Sequence, residues 1–310
     1  MLEFINLTKK YEDKIIVNNL NLKVGEGTVL GFLGPNGAGK TTTIKMCCGL
    51  VNPTSGDIKI FGDSILNSRK KYIKNVGAVL EGNRNIYWRL TPIENMEYFA
   101  SIRGIYDKNL KNKMEYYLEL FNLKEKRNCE CGKLSRGMQQ KVAICCSLIS
   151  NSKILFLDEP TLGLDVESVL AMEEIIKEIS SKDKIIFITS HDLHFINNLC
   201  ERIVIINKGN LVWDDSIKNF NKRFNTVKYN VKVDKFNEDL EKKLNYVSLI
   251  NSYKEDDNKV LQFEIDNDNR IVNILNNLRE NKINILGVTK EERSVEDLFM
   301  EIINTNKKGD

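Results

Sequence analysis

The chain has 310 residues, 42% of them hydrophobic and 29% charged, with a net charge of +3. That balance belongs to a globular protein with one large domain and room for a small second one. The charge is uneven, 32 Lys+Arg against 26 Asp+Glu over residues 1–225 and 14 against 17 over residues 226–310, which leaves neither part a polybasic nucleic-acid-binding domain.

No apolar run approaches the ~20 residues needed to span a bilayer. Met1-Leu2-Glu3-Phe4-Ile5 reads as the start of a strand rather than a signal peptide, so a cytosolic chain is expected. The seven cysteines stand at positions 47, 48, 129, 131, 145, 146 and 200. Adjacent pairs inside predicted helices and an odd count favour free thiols. Cys129-x-Cys131 has no second Cys/His pair at zinc-like spacing and reads as reduced thiols near a surface loop.

In chain order, residues 1–65 read as strands and turns around one motif. Gly34-Pro35-Asn36-Gly37-Ala38-Gly39-Lys40-Thr41 is G-x-x-x-x-G-K-T, the phosphate-binding P-loop. The apolar stretch Val29–Leu33 is a strand running into it, and Thr42 to Leu50 is a helix whose N-terminus faces the phosphates. Small residues let backbone N–H groups wrap a phosphate chain. Lys40 supplies a point charge, Thr41 a hydroxyl for Mg²⁺, and Thr42 belongs to the same phosphate-facing turn.

Residues 84–150 become mostly helical. Thr91-Pro92-Ile93-Glu94 is a capping box with Pro at the first helical position, followed by Met96, Phe99 and Ala100 at helical spacing. A second helix is expected from about Leu110 to Phe121, and a third after Ser135. Over residues 153–215, Ile154–Leu157, Ile185–Ile188 and Ile203–Ile206 are short continuous apolar runs, the pattern of strands buried on both faces of an α/β sheet.

A boundary is expected near Asn219–Asn225, dividing domains at 1–220 and 226–310. Val227, Tyr229, Val231 and Val233 alternate with polar residues as a half-buried strand. A helix with Phe236, Leu240 and Leu244 follows, then strands near Val247–Tyr253 and Val260–Ile265. Ile271, Ile274, Leu275 and Leu278 mark an amphipathic helix, Ile283 to Val288 a strand, and Ser294 opens a last helix with Val295, Leu298, Phe299, Ile302 and Ile303 on one face. The order β-α-β-β-α-β predicts a small ferredoxin-like α+β domain. The polar tail Asn304–Asp310 is expected to fray.

Lys153-Ile154-Leu155-Phe156-Leu157-Asp158-Glu159 is a buried strand ending in two carboxylates. Downstream of a P-loop, Asp158 stands at the Walker B position that holds Mg²⁺, and Glu159 is placed to act on the attacking water as a general base.

Leu134-Ser135-Arg136-Gly137-Met138-Gln139-Gln140, between these motifs and just before a helix, resembles the signature motif of ATP-binding cassette (ABC) ATPases, usually LSGGQ. It departs at Arg136 and Met138 and matches at Leu134, Ser135 and Gly137. The resemblance covers about residues 1–220. It implies an α/β P-loop domain with an inserted helical subdomain at about 84–150. It also implies that Ser135 and Gly137 face the γ-phosphate on a second subunit, where a helix N-terminus favours an anion. Tyr11 has the spacing of the aromatic that stacks on adenine. Thr161-Leu162-Gly163-Leu164-Asp165 resembles the D-loop, and His191 in Thr189-Ser190-His191-Asp192 matches the switch histidine. Val76–Leu80 matches the strand that the family ends with Gln, but position 81 is Glu. Glu81 thereby becomes a third carboxylate expected near Mg²⁺.

The segment Glu81–Leu90 resembles ABC ATPases that serve separate, export-type permeases. Tyr87-Trp88, with Arg84 and Arg89, reads either as a docking surface for a membrane permease or as an aromatic hinge at a domain edge. The resemblance implies a homodimer, or a paired subunit, holding two ATP–Mg²⁺ on the cytoplasmic face of the membrane, with no nucleic acid as partner. A soluble ABC protein acting on ribosomes or DNA, and a ligand-sensing regulator, are the competing classes.

Overall fold

Apolar alternation and apolar continuity sort the strands into separate sheets. The computed structural model describes residues 1–82, 85–180, 183–224, 227–234, 249–255, 258–265, 268–291 and 302. The chain opens on β1 (Leu2–Tyr11) and β2 (Lys14–Val24), whose residues alternate between core and solvent. Then β3 (Val29–Leu33), buried at every position, runs into the P-loop and α1 (Lys40–Cys47). The helix begins two residues earlier than its apolar pattern suggests, because Lys40 and Thr41 already join its first turn. It ends at Cys47, and Gly49 follows in the left-handed region at φ 68°. β4 (Ser55–Ile60) and β5 (Asp63–Ser64) return to the first sheet, whose order is β2-β1-β4-β5.

After α2 (Arg69–Lys74), β6 (Val76–Val79) starts the connection that carries the helical block: α3 (Pro92–Ile102), α4 (Leu110–Leu120) and α5 (Arg136–Leu148). The chain then re-enters the sheet as β7 (Ile154–Asp158), directly beside β6 and parallel to it. The block is therefore one enlarged β-α-β crossover. Its base is stapled to the sheet edge: Arg103 Nη1 donates to Val76 O at 2.8 Å and to Ser150 Oγ at 3.2 Å, and Lys113 Nζ donates to Ile149 O at 3.0 Å.

α6 (Val166–Ile179), β8 (Ile185–Thr189), α7 (Leu193–Leu199), β9 (Arg202–Asn207), β10 (Asn210–Ser216) and α8 (Ile217–Phe224) follow. The second sheet has the order β10-β9-β3-β8-β7-β6, parallel except for β10. β3, β8 and β7 thus lie side by side and end on one edge, where ligands of open α/β sheets bind. One core joins both sheets. Phe187 packs on Phe32, Phe156 and Phe4 with ring centroids 5.0, 5.4 and 6.3 Å apart.

The chain divides into two compact units, Met1–Ile217 and Lys218–Asp310. In the second, β11 (Val227–Val233), β12 (Leu249–Glu255), β13 (Asn258–Ile265), α9 (Asp268–Glu280) and β14 (Ile285–Glu291) form an antiparallel sheet of order β12-β13-β11-β14. That is a ferredoxin-like strand order. Val231, Val233, Leu261, Phe263, Ile274 and Leu278 belong to a core of its own. The expected helix with Phe236, Leu240 and Leu244, the expected helix at 294–303 (apart from Ile302) and the tail lie outside the described residues.

Because each unit has its own core, a chain ending at Phe224, which keeps α8 whole, is expected to stay folded and to bind nucleotide. Circular dichroism melting and nucleotide titration of that fragment check this. Insoluble fragment would mean that the first core needs the second unit.

Candidate functional site

The site is built from the ends of β3, β8 and β7. In the P-loop after β3, Gly39 adopts φ 108°, and a Cβ there would lie 2.6 Å from Ile16 O, so only glycine fits the last turn before α1. Lys40 is buried, and its Nζ folds back onto the loop, donating to Gly34 O at 2.6 Å and Pro35 O at 3.4 Å. Burial lowers its pKa from the ordinary lysine value, against the opposing pull of Glu159, Asp158 and Glu81.

At the end of β7, Asp158 is buried. Its Oδ1 accepts from Thr189 Oγ1 at 2.5 Å and from Thr41 Oγ1 at 3.4 Å, whereas its Oδ2 is buried without a hydrogen-bond partner. A buried carboxylate oxygen left unpaired is costly unless a cation or ordered water meets it. With the Thr41 hydroxyl beside it, the pair suits Mg²⁺, which uses one or two carboxylates and substrate phosphates rather than a full protein cage. Accordingly, no group of three or more His, Cys, Asp or Glu among the described residues is arranged to hold a metal by itself.

Glu159 adopts φ 50°, uncommon for a residue with a Cβ and here just ahead of Pro160. The conformation is held by its own N–H, which donates to Thr189 O at 3.0 Å and Thr189 Oγ1 at 3.1 Å. The carboxylate is thereby turned toward β8, where Glu159 Oε2 lies 2.8 Å from His191 Nδ1 and accepts from His191 N at 3.3 Å. His191 sits between β8 and Asp192, the N-cap of α7, whose Oδ1 accepts from Phe195 N at 3.0 Å.

An open cleft of about 720 Å³ collects Tyr11, Asn36, Gly37, Ala38, Gly39, Lys40, Thr41, Thr42, Glu81, Glu159 and His191. Gly34 and Pro35 are not in this lining and join the site through their carbonyls, which accept from Lys40 Nζ. Glu81 also lines a second cleft, toward the helical block, with Arg136, Gln139, Asp158 and Glu159. Three expected site residues lie elsewhere. Ser135 is the N-cap of α5, its Oγ accepting from Met138 N at 3.3 Å. Gly137 packs against Ser168 of α6. The Asp165 side chain caps α6, accepting from Ser168 N at 2.8 Å. Arg84 lies outside the described residues.

Two residues of the site carry no motif signal. Thr189 bonds Asp158 at the end of β7 and Glu159 just after it; its position at the end of an apolar strand, as the ladder partner of Asp158, is what could have marked it. Asn85 clamps the turn that presents Glu81: its Oδ1 accepts from Leu80 N at 3.0 Å, and its Nδ2 donates to Leu80 O at 2.7 Å and Gly82 O at 3.0 Å. An Asn in a polar loop gives no pattern from which such a clamp can be read.

Residues 17–162 match the ABC transporter family. The chain is 33% identical over 312 residues to the bacitracin transport ATP-binding protein BcrA of Bacillus licheniformis, covering 96% of this chain and 95% of that protein. It is 34% identical to the Nod factor export ATP-binding protein I of Burkholderia orbicola, over 67% of this chain and 68% of that one. Among solved structures it resembles a dimeric ATP-binding cassette bound to ADP and phosphate after hydrolysis. There the TM-score is 0.63 at 25% identity, covering 70% of this chain and 99% of the other. With the bacitracin relative matched over nearly the whole of both chains, the chain belongs to the ATP-binding subunits of ABC transporters, and it is an ATPase.

Proposed function

We propose that two copies of this protein clasp two ATP–Mg²⁺ and that the cycle of closure and hydrolysis drives a separate membrane permease in export. The observation that carries the hydrolytic role is the Glu159–His191 contact of 2.8 Å on the sheet edge that also presents the P-loop lysine. Glu159 accepts a proton from the attacking water. His191 orients that carboxylate and reaches the γ-phosphate side of the cleft. Lys40 exchanges its two carbonyl contacts for phosphate oxygens, and Tyr11, 46% exposed at the cleft mouth, offers its ring to adenine. Asp158, Thr41 and Glu81 are the residues that hold Mg²⁺, which when bound offsets phosphate charge.

The dimer is supported by where the signature residues stand. Ser135 and Gly137 open α5 but are not part of the lining of their own P-loop cleft, so a second copy supplies them to the nucleotide, with Asp165 beside them. The dimeric form of the related cassette supports the same assembly. No helix among the described residues is long and apolar enough to cross a membrane, which favours a separate permease with this chain on its cytoplasmic face. Tyr87 and Trp88 are 48% and 50% exposed beside Tyr98, an amphipathic aromatic surface suited to such a partner. One relative is named for bacitracin transport and another for Nod factor export, which supports a transport role and, through the second, export as its direction. Residues 226–310 serve as an accessory domain, and their net acidity speaks against nucleic acid.

Glu159→Gln keeps the shape and loses the base. It is expected to bind ATP normally, lower turnover by about a hundredfold or more, and accumulate an ATP-bound dimer by analytical ultracentrifugation. Near-normal turnover would remove Glu159 from the chemistry.

The Lys40 pKa gives a pH test with a fixed sign. Burial holds the free-state value down, and phosphates beside Nζ raise it again. Between those two values ATP binding takes up a proton, so affinity falls as pH rises through the lowered one. Calorimetry in buffers of different ionisation enthalpy reads the uptake directly. Lys40→Ala should bind more weakly at every pH and lose this part of the profile.

For Glu81, loss of a carboxylate ligand leaves the Gln side chain as a neutral, poorer oxygen donor to a hard cation. Glu81→Gln is expected to keep most of the maximal rate and to raise the Mg²⁺ concentration for half activity on the order of tenfold. Superimposable Mg²⁺ titrations would exclude Glu81 from the ion's surroundings.

A further inference from the structure

Asn95 is fully buried on α3, one turn past the Thr91 cap, and the hydrolytic chemistry does not use it. Its Oδ1 accepts from Tyr87 N at 2.8 Å. Its Nδ2 lies 3.0 Å from Tyr87 O, 3.3 Å from Leu90 O, 3.0 Å from Thr91 O and 3.3 Å from Cys131 Sγ. One amide thus serves both ends of the segment carrying the exposed aromatics and touches the turn that precedes the signature motif. The same two stretches are also joined through their backbones. Cys131 N donates to Leu90 O at 2.9 Å, and Gly132 N to Trp88 O at 2.8 Å. Gln139 continues the chain of contacts, its Nε2 donating to Cys131 O at 3.0 Å and Leu134 O at 3.1 Å. The next residue is Ser135.

We infer that Asn95 is a positioning residue that locks the Tyr87–Trp88 surface and the Ser135 turn into one rigid body, so that a displacement at either is felt at the other. The inference rests on the reading above, in which Ser135 acts on the nucleotide of a second copy. The carbonyls of 87, 90 and 91 also accept from the backbone N–H groups of Leu90, Cys131 and Asn95, whereas the Tyr87 N–H is met by the Asn95 side chain. An apolar side chain at 95 would fill the space, remove the acceptor of the Tyr87 N–H and leave the turn tied to α3 and the 131–132 stretch by backbone bonds alone. A satisfied buried amide instead selects one arrangement of turn, helix and signature loop, because each unpaired alternative is penalised in a low-dielectric interior. Gln139 extends that selection to the peptide just before Ser135.

The test uses the full chain in the Glu159→Gln background with Trp213→Phe, which leaves Trp88 as the only tryptophan. ATP–Mg²⁺-driven dimerisation is followed by ultracentrifugation, the response of Trp88 emission to ATP by fluorescence, and ADP affinity with a fluorescent ADP analogue. Asn95→Ala and Gln139→Ala are compared with the parent. ADP affinity, a property of the P-loop, should stay within about twofold in both. The ATP concentration for half dimerisation should rise at least about tenfold in Asn95→Ala, as expected when a buried hydrogen-bond hub is lost. Gln139→Ala should shift it in the same direction. The double variant should shift it by less than the sum of the two, since both residues sit in one chain of contacts.

The decisive readout is reciprocal. Gln139→Ala leaves Asn95 in place, but Gln139 lines the same cleft as Trp88, so the readout is the ATP-induced change in emission relative to each variant's own ATP-free emission, which Gln139→Ala should weaken. A residue that merely stabilises the fold would not alter that response. If Asn95→Ala does not fold, the Gln139→Ala response decides alone. A parent that fails to dimerise overturns the shared-site reading and this inference with it. A parent that dimerises while foldable variants match it in ATP dependence and in Trp88 response overturns the inference only.

Discussion

Asp158 faces Thr189 in the β7–β8 ladder, and that pairing brings the two halves of the hydrolytic site together. Because Thr189 bonds Asp158 through its hydroxyl and Glu159 through its backbone and hydroxyl, the residues that follow, Glu159 on one strand and Ser190-His191 on the other, leave the sheet side by side. A slip of one residue would turn every side chain of β7 to the opposite face. Phe156 would leave the ring cluster it shares with Phe187 and Phe32, at a loss of roughly 1.5–3 kcal/mol for that side chain alone. Asp158 would turn away from Thr41. The aromatic core beneath the sheet edge therefore sets the catalytic register above it.

The charges at that edge are held in a state that phosphate would complete. Lys40 is buried among carbonyls of its own loop, with three carboxylates near enough to act on its titration. The Oδ2 of Asp158 has no hydrogen-bond partner. Both groups bear a desolvation cost that a phosphate chain and a divalent cation relieve, the lysine by gaining anionic oxygens and the carboxylate by gaining a cation. The strained backbone at Glu159 belongs to the same economy. A left-handed conformation at a residue followed by proline persists because Thr189 holds its N–H twice over.

Much of this was legible from residue order. G-x-x-x-x-G-K-T, the apolar strand into Asp158-Glu159, and the three fully apolar runs each have a local physical cause, and β3, β7, β8 and β9 lie where those runs predict. The Thr91–Glu94 box also has a local cause, and both of its reciprocal hydrogen bonds are present. What escaped was whatever depends on a single polar residue meeting a distant backbone. Asn85, Asn95 and Thr189 look ordinary in the sequence, because an amide or hydroxyl can bond almost anything. The fold of the turns at Leu80 and at 87–91 and the β7–β8 ladder decide which group each one meets. The helix ends were displaced for a similar reason: α1 recruits Lys40 and Thr41 because the glycine turn before them permits it, not because of any apolar period.

The helical block brings charge as well as shape to the site. Arg136, where the family usually has glycine, stands at the N-terminus of α5 and packs over Gly163, so that a Cβ on that glycine would meet its guanidinium at 2.5 Å. It lines one side of a cleft whose other side holds Glu81, Asp158 and Glu159. Glu81 is the second departure from the common family pattern, and the two departures are opposite in sign within one cleft. Both side chains are exposed, so water screens their attraction. A glycine and a glutamine at these positions would leave that cleft with Asp158 and Glu159 alone. The two departures add opposite, solvent-screened charges to one cleft and leave its net charge as it would be with glycine and glutamine.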